Sequence, residues 1–336
     1  MSRVLVTGTL AIDYVADYGG RFSQLPRHPG VNLSIQLDRI GRRFGGCAMN
    51  IAYGLHRLGQ DAVPFVFVGD DYGEDYRNHL KSLGIDRSGI TRRSGAGYSS
   101  HAFVFTDAGG NQFTGFFPGP ARVSDFVQRL TDFVAERTPD YAVLAPDIAV
   151  NMIDAARVMR THGIPFLCDP GQGLTDFSAP ETGELIGLSD ALIVNQYEFE
   201  TVKSRSESQL RSPEYVVVTT GDSGSWCGDI VVPAVPAKAV KDPTGCGDAY
   251  RTGFVDAHLR GAGMRDAMRA GACAATINIE MKGRRRTTSA TTPHVISRPG
   301  TMRPNGSRII CAEMTESASG RPPKPRAEPR GCASCP

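Results

Sequence analysis

Short β-branched runs alternate with helix-period segments along most of this chain, and that alternation restricts the fold more than any other feature. Val4-Leu5-Val6-Thr7 is an apolar run ending at Gly8, and Ala62 to Val68 is another, closed by Gly69 and two aspartates. Between them Gly45-Gly46 opens a stretch in which Met49, Ala52, Leu55 and Leu58 recur at helical spacing. A second helix is expected from about Tyr72 to Leu83. From Ser124 the rhythm resumes: helix 124–136, strand 140–145, helix 149–161, strands 164–168, 191–194 and 215–219, then helices of about 245–259 and 264–280. Such a pattern predicts an α/β domain with a doubly wound, mostly parallel sheet covered by helices on both faces. Ligands of such sheets sit at the carboxyl ends of the strands.

Two regions interrupt this rhythm. His101 to Thr106 and Gln112 to Phe117 are extended segments joined by Asp107-Ala108-Gly109-Gly110-Asn111, which reads as a β-hairpin. Val31 to Leu37 alternates apolar with polar residues and also reads as a strand. Together they predict a small β-sheet lid, with segments at about 19–40 and 98–118. No internal repeat of solenoid length is visible.

Composition excludes several classes. With 40% apolar residues the chain is no disordered polymer, and its apolar stretches fall far short of the ~18 residues of a membrane span. Asp13 arrives before the apolar core of a signal peptide could form, so a cytoplasmic location is expected. Ten basic and three acidic residues follow Gly283, leaving 27 basic and 32 acidic in the rest. A mildly acidic body offers no basic stripe for nucleic acid. Residues 284–336 are rich in Pro, Ser, Thr and Gly, and read as a disordered tail. The eight cysteines are scattered and read as reduced. Cys332 and Cys335 form a CxxC without a second pair, and the seven histidines show no metal-cage spacing.

The strongest local pattern is Asp242-Pro243-Thr244-Gly245-Cys246-Gly247-Asp248 at the head of a helix. Glycines there let backbone N–H groups converge on an anion, and the helix dipole adds favourable potential. Asp248 beside such an anion site suits a proton acceptor for an attacking hydroxyl; it equally suits a carboxylate stabilising the first helical turn. Asn195-Gln196-Tyr197-Glu198 follows a strand, where amide and carboxylate could reach a hydrated Mg²⁺ and phosphates, or form a capping box. Thr220-Gly221 lies in a polar glycine loop that reads as a phosphate contact or an ordinary turn. Asp13 suits a vicinal diol or a solvated loop. Gly45-Gly46 before Asn50 allows close approach of backbone to a ligand, or of helix to strand.

Gly45-Gly46…Asn50, Asn195-x-x-Glu198 and Asp242-x-Thr244-Gly245-x-Gly247-Asp248, in this order, resemble the ribokinase-like (PfkB) carbohydrate kinases over about residues 1–283. Thr7-Gly8-Thr9-Leu10-Ala11-Ile12-Asp13 and Phe117-Pro118-Gly119 look most like bacterial nucleoside kinases of the adenosine kinase type. The resemblance implies Asp248 as catalytic base and the amides of Gly245, Cys246 and Gly247 as the anion hole. It implies Asp13, Gly45, Gly46 and Asn50 around the ribose, with Phe116 and Gln172 facing the base. Asn195, Glu198, Thr220, Gly221 and Thr244 would serve the nucleotide, Glu198 holding Mg²⁺ through water.

The expected activity is transfer of the γ-phosphoryl group of ATP to the 5′-hydroxyl of a nucleoside, with ATP and Mg²⁺ required and a monovalent cation allowed. The crowd of Phe103, Phe105, Phe113, Phe116 and Phe117 on the lid suits stacking on a flat base, or packing of two lids in a homodimer. A sugar kinase of the same family, for ribose or fructose, is the alternative. A ligand-binding relative with impaired catalysis is another, because Arg284-Arg285-Arg286 replaces the family's small polar residues.

Overall fold

The apolar runs form the centre of a nine-stranded sheet. Its order across the sheet is Ile230–Val232, Ser225–Cys227, Tyr215–Thr219, Ala191–Asn195, Phe166–Cys168, Tyr141–Leu144, Arg3–Thr7, Asp61–Val68 and Ile90–Arg92. All neighbours are parallel except at the Ser225–Cys227 end, where the last two pairings are antiparallel. The computed structural model describes residues 1–25, 33–120, 123–205, 213–239 and 244–281, and the side chains of all of these but Gln172 and Met281. Residues 284–336, with Cys332 and Cys335, and Asp242-Pro243 lie outside the described residues.

Side-chain alternation explains why both faces are covered. In Arg3–Thr7, Val4 and Val6 join one core and Leu5 the other; in Ala191–Asn195, Ile193 and Leu192 divide the same way. One core lies under the helices Cys47–Arg57, Glu74–Ser82, Cys246–Leu259 and Met264–Met281. The other lies under Phe126–Arg137, Ala149–Thr161 and Ala179–Leu188. Leu5, Leu144, Phe166 and Phe254 are all fully buried, each contributing roughly 1.5–3 kcal/mol of burial. No described helix is long and apolar enough to cross a membrane.

A second, four-stranded sheet has the order Arg39–Gly45, Ala11–Tyr18, Ser100–Asp107 and Gln112–Phe117. The hairpin from Ser100 to Phe117 is where the sequence places it. The strand expected at Val31–Leu37 is not: residues 31 and 32 lie outside the described residues, and 33–37 form no strand. Alternation alone does not make a strand, because a strand also needs a ladder partner. The free edge of Ala11–Tyr18 is taken instead by Arg39–Gly45, whose three arginines hide its pairing from a hydropathy reading.

Cys47, Cys168, Cys227 and Cys246 are free thiols, in keeping with the reduced state read for them from the sequence.

Candidate active site

Two helices open at glycines with positive φ, and their first turns meet. Gly46 (φ 97°) precedes Cys47–Arg57, and Gly245 (φ 76°, ψ 10°) precedes Cys246–Leu259. Both N-caps are glycines, so neither brings a capping side chain of its own to the first amides. The helices approach closely at Gly54, where a Cβ would lie 2.6 Å from Thr252 Cγ2. That approach lets Asn50 Nδ2 donate a 2.7 Å hydrogen bond to Asp248 Oδ2. Asp248, in the first turn, is 9% exposed, while Asn50 is exposed.

Behind Asp248 lies charge that the sequence motifs did not mark. Arg251, one turn on, is buried and forms an ion pair with the buried Asp169; its Nη2 donates to Asp169 Oδ1 (2.6 Å) and to the Ile193 carbonyl (3.0 Å). Burial pushes the Asp169 carboxyl upward, the guanidinium opposes this, and the Glu198 and Asp248 carboxylates add to the rise. Burial, with Asp248 and Asp169 acting the same way, raises the Cys47 thiol well above its usual range. Cys47 is thus a neutral group beside Asp248, not a thiolate. One signal for Arg251 was available: a guanidinium in the otherwise small or apolar run Ala249 to Phe254 needs a buried partner.

On the small sheet, Asp13 stands in register with Arg43 on one side and Ala102 on the other, and Ala102 faces Phe116. Arg43, Asp13, Ala102 and Phe116 thus form one cross-strand row on one face. A Cβ on Gly45 would run into the Asp13 carboxylate, and one on Gly46 into the Thr9 carbonyl and Ala11 amide. The buried Tyr76 hydroxyl donates to the Gly45 carbonyl at 2.9 Å, fixing this corner; burial raises its pKa. Asp13 therefore lies within a lid strand rather than in a loop after the first strand.

At the far strands, Asn195 and Glu198 form a reciprocal cap. The Asn195 N–H donates to Glu198 Oε2 (2.8 Å), and the Glu198 N–H donates to Asn195 Oδ1 (2.9 Å). Glu198 is buried within electrostatic reach of Arg251. Asn195 pairs with Thr219, so Thr220 and Gly221 leave the sheet beside it. Thr220 Oγ1 donates to the Gly224 carbonyl (3.0 Å), while a Cβ on Gly221 would meet open space. The Thr244 carbonyl accepts from Asn278 Nδ2 at 3.2 Å. Gln172 begins a turn after Phe166–Cys168, at the same edge of the sheet. Asn50 and Asp248 are brought into contact and Asp13 and Gly45 into close approach; Thr220 and Gly221 belong to a separate loop.

A doubly wound sheet, a small sheet beside it and a glycine-opened helix carrying an acid are the parts of a ribokinase-like kinase. The chain belongs to that family: the model for pfkB family carbohydrate kinases matches residues 1–291. It is accordingly a phosphotransferase with an alcohol acceptor. A nucleoside kinase of Methanothermobacter thermautotrophicus is 31% identical over 289 residues, 83% of this chain and 90% of that protein. One from Methanocaldococcus jannaschii is 29% identical, covering 84% and 92%. Among solved structures, the Burkholderia thailandensis nucleoside kinase in complex with inosine superposes with a TM-score of 0.73 at 30% identity, covering 82% of this chain and 89% of that one. The same enzyme in complex with ADP-inosine gives a TM-score of 0.72 at 29% identity, covering 96% and 97%.

Proposed function

We propose that this chain is an ATP-dependent nucleoside kinase that phosphorylates the 5′-hydroxyl. The observation carrying this is the Asn50–Asp248 contact at a helix start whose N-cap is a glycine with positive φ. An acid there can take the hydroxyl proton while the amides of Gly245, Cys246 and Gly247 receive the charge developing on the transferred phosphoryl group. Asp13 and Asn50 would hold the ribose hydroxyls against Gly45 and Gly46, and Phe116, in the same row as Asp13, would stack on the base. The relatives named nucleoside kinase, and the Burkholderia complexes with inosine, support a nucleoside as acceptor.

Among the described residues no group of three His, Cys, Asp or Glu forms a metal cage. That suits Mg²⁺, which keeps its waters and takes one or two carboxylates plus substrate phosphates. Glu198 would hold it through water, with Asn195, Thr220, Gly221 and Thr244 near the nucleotide. Bound there, the ion would neutralise phosphate charge. A cytoplasmic location would match the ATP requirement.

The lid's other face favours a homodimer. Ile40, Phe103, Phe113 and Phe117 are exposed and, by register, lie opposite to Asp13 and Phe116.

The test is a panel of nucleosides, ribose and fructose with labelled ATP, with and without potassium. Transfer to a nucleoside is expected. Transfer to ribose alone would replace this reading with a sugar kinase, and binding without transfer would make the chain a ligand-binding relative.

A further inference from the structure

Three carboxylates and one guanidinium share the buried ground behind the phosphoryl-transfer site. Asp169, Glu198 and Asp248 are each 9% exposed or less, and Arg251 is 6% exposed. They come from three places: Asp169 follows Phe166–Cys168, Glu198 lies in Gln196–Arg205, and Asp248 and Arg251 share Cys246–Leu259. Arg251 interacts electrostatically with all three acids. Among the described residues, Arg251 is the buried cation these three acids share, at the place where a kinase must seat an anionic donor. Arg251 also supplies the mechanical link. Nη2 bridges Asp169 and the Ile193 carbonyl, joining the catalytic helix to the residue after Phe166–Cys168 and to the middle of Ala191–Asn195. Nη1 comes so near the glycine turn that a Cβ on Gly247 would lie 2.9 Å from it.

We infer that Arg251 is a positioning residue of this kinase: it clamps the glycine turn and Asp248 to the two neighbouring strands Phe166–Cys168 and Ala191–Asn195 and is the counter-charge that lets three carboxylates stand beside a phosphate donor. The inference rests on the kinase reading above and extends it to a residue that never touches substrate. An ordinary structural ion pair would explain the burial of Asp169 and Arg251. It would not explain why the pair is set among two further acids directly behind the anion-binding turn.

The two explanations differ in sign. Arg251→Met leaves one more uncompensated negative charge at the site, whereas Asp169→Asn removes one. Each leaves a buried partner unpaired, so both lower the thermal midpoint. On ADP affinity, measured by calorimetry with the full chain, they should diverge. Arg251→Met is expected to weaken ADP roughly tenfold or more, while Asp169→Asn leaves it unchanged or tighter. Equal weakening by the two, in step with lost stability, would overturn the inference. If Arg251→Met does not fold, Arg251→Lys and Asp169→Asn decide. The lysine keeps the charge without the fork and should hold ADP affinity within about threefold; weakening of ADP beyond about tenfold in either variant overturns the proposal. Failure of the unaltered chain to bind ADP is a different result, since it removes the kinase reading itself.

Discussion

Asn50 reaches Asp248 across 198 positions of sequence, and its amide nitrogen holds one carboxylate oxygen at 2.7 Å. A neutral amide so placed orients the acid. The contact also ties the helix following the lid strand Arg39–Gly45 to the helix that opens at Gly245.

Replacing Asp248 by Asn keeps the shape and removes the carboxylate proposed as proton acceptor. The kcat is expected to fall roughly a thousandfold, with nucleoside binding by calorimetry within a few-fold of the parent. Unchanged turnover would remove Asp248 from the chemistry.

Asn50→Asp places a like charge against Asp248, and Asn50→Ala merely removes the donor. The aspartate variant should be the worse of the two by roughly tenfold in kcat, because one of two facing carboxylates must take up a proton. Steady-state assays at pH 6 and 8 would show the gap widening at the lower pH. Equal loss in both variants would mean that Asn50 matters only through its packing.

Gly46 and Gly221 both have positive φ, yet their surroundings differ. A Cβ on Gly46 would strike the backbone of Thr9 and Ala11, whereas one on Gly221 meets nothing within 4 Å. Gly221→Ala should therefore cost about 1 kcal/mol, and Gly46→Ala at least roughly 3 kcal/mol with loss of activity. Denaturant titration compares them directly.

Asp107 closes the lid hairpin. The Asn111 side chain, together with the amides of Phe22, Gly109 and Asn111, lowers its pKa to about 2. A depressed folded pKa contributes stability above the unfolded value of about 3.9, and this is lost as pH falls toward 2. Wild type should exceed Asp107→Asn in thermal midpoint at pH 6, and the gap should close between pH 4 and 2. Hydrogen exchange at the hairpin amides would localise the effect.

The large sheet could be read from sequence because each of its inner strands is an apolar run with its own β-branched signature, such as Val216-Val217-Val218. The hairpin was legible from Gly109-Gly110 and its flanking aromatics. Arg39–Gly45 was not, since its pairing depends on a neighbouring strand rather than on its own hydropathy. At the site, motif spacing brought out Asp248, Asn50 and the glycines. The Asp169–Arg251 pair was hidden because neither residue belongs to a repeating pattern; only their burial together makes them a unit. Asn195 and Glu198 illustrate the converse, since the spacing that suggests metal work also builds the cap that the helix uses.

Asp13 and Phe116 ride on the four-stranded sheet, while Asp248 rides on the nine-stranded one. On the proposed reading, recognition and chemistry would therefore come from separate scaffolds. Exchanging side chains along one row of the small sheet would let descendants of this chain court new acceptors while the machinery for moving phosphorus stayed as it was.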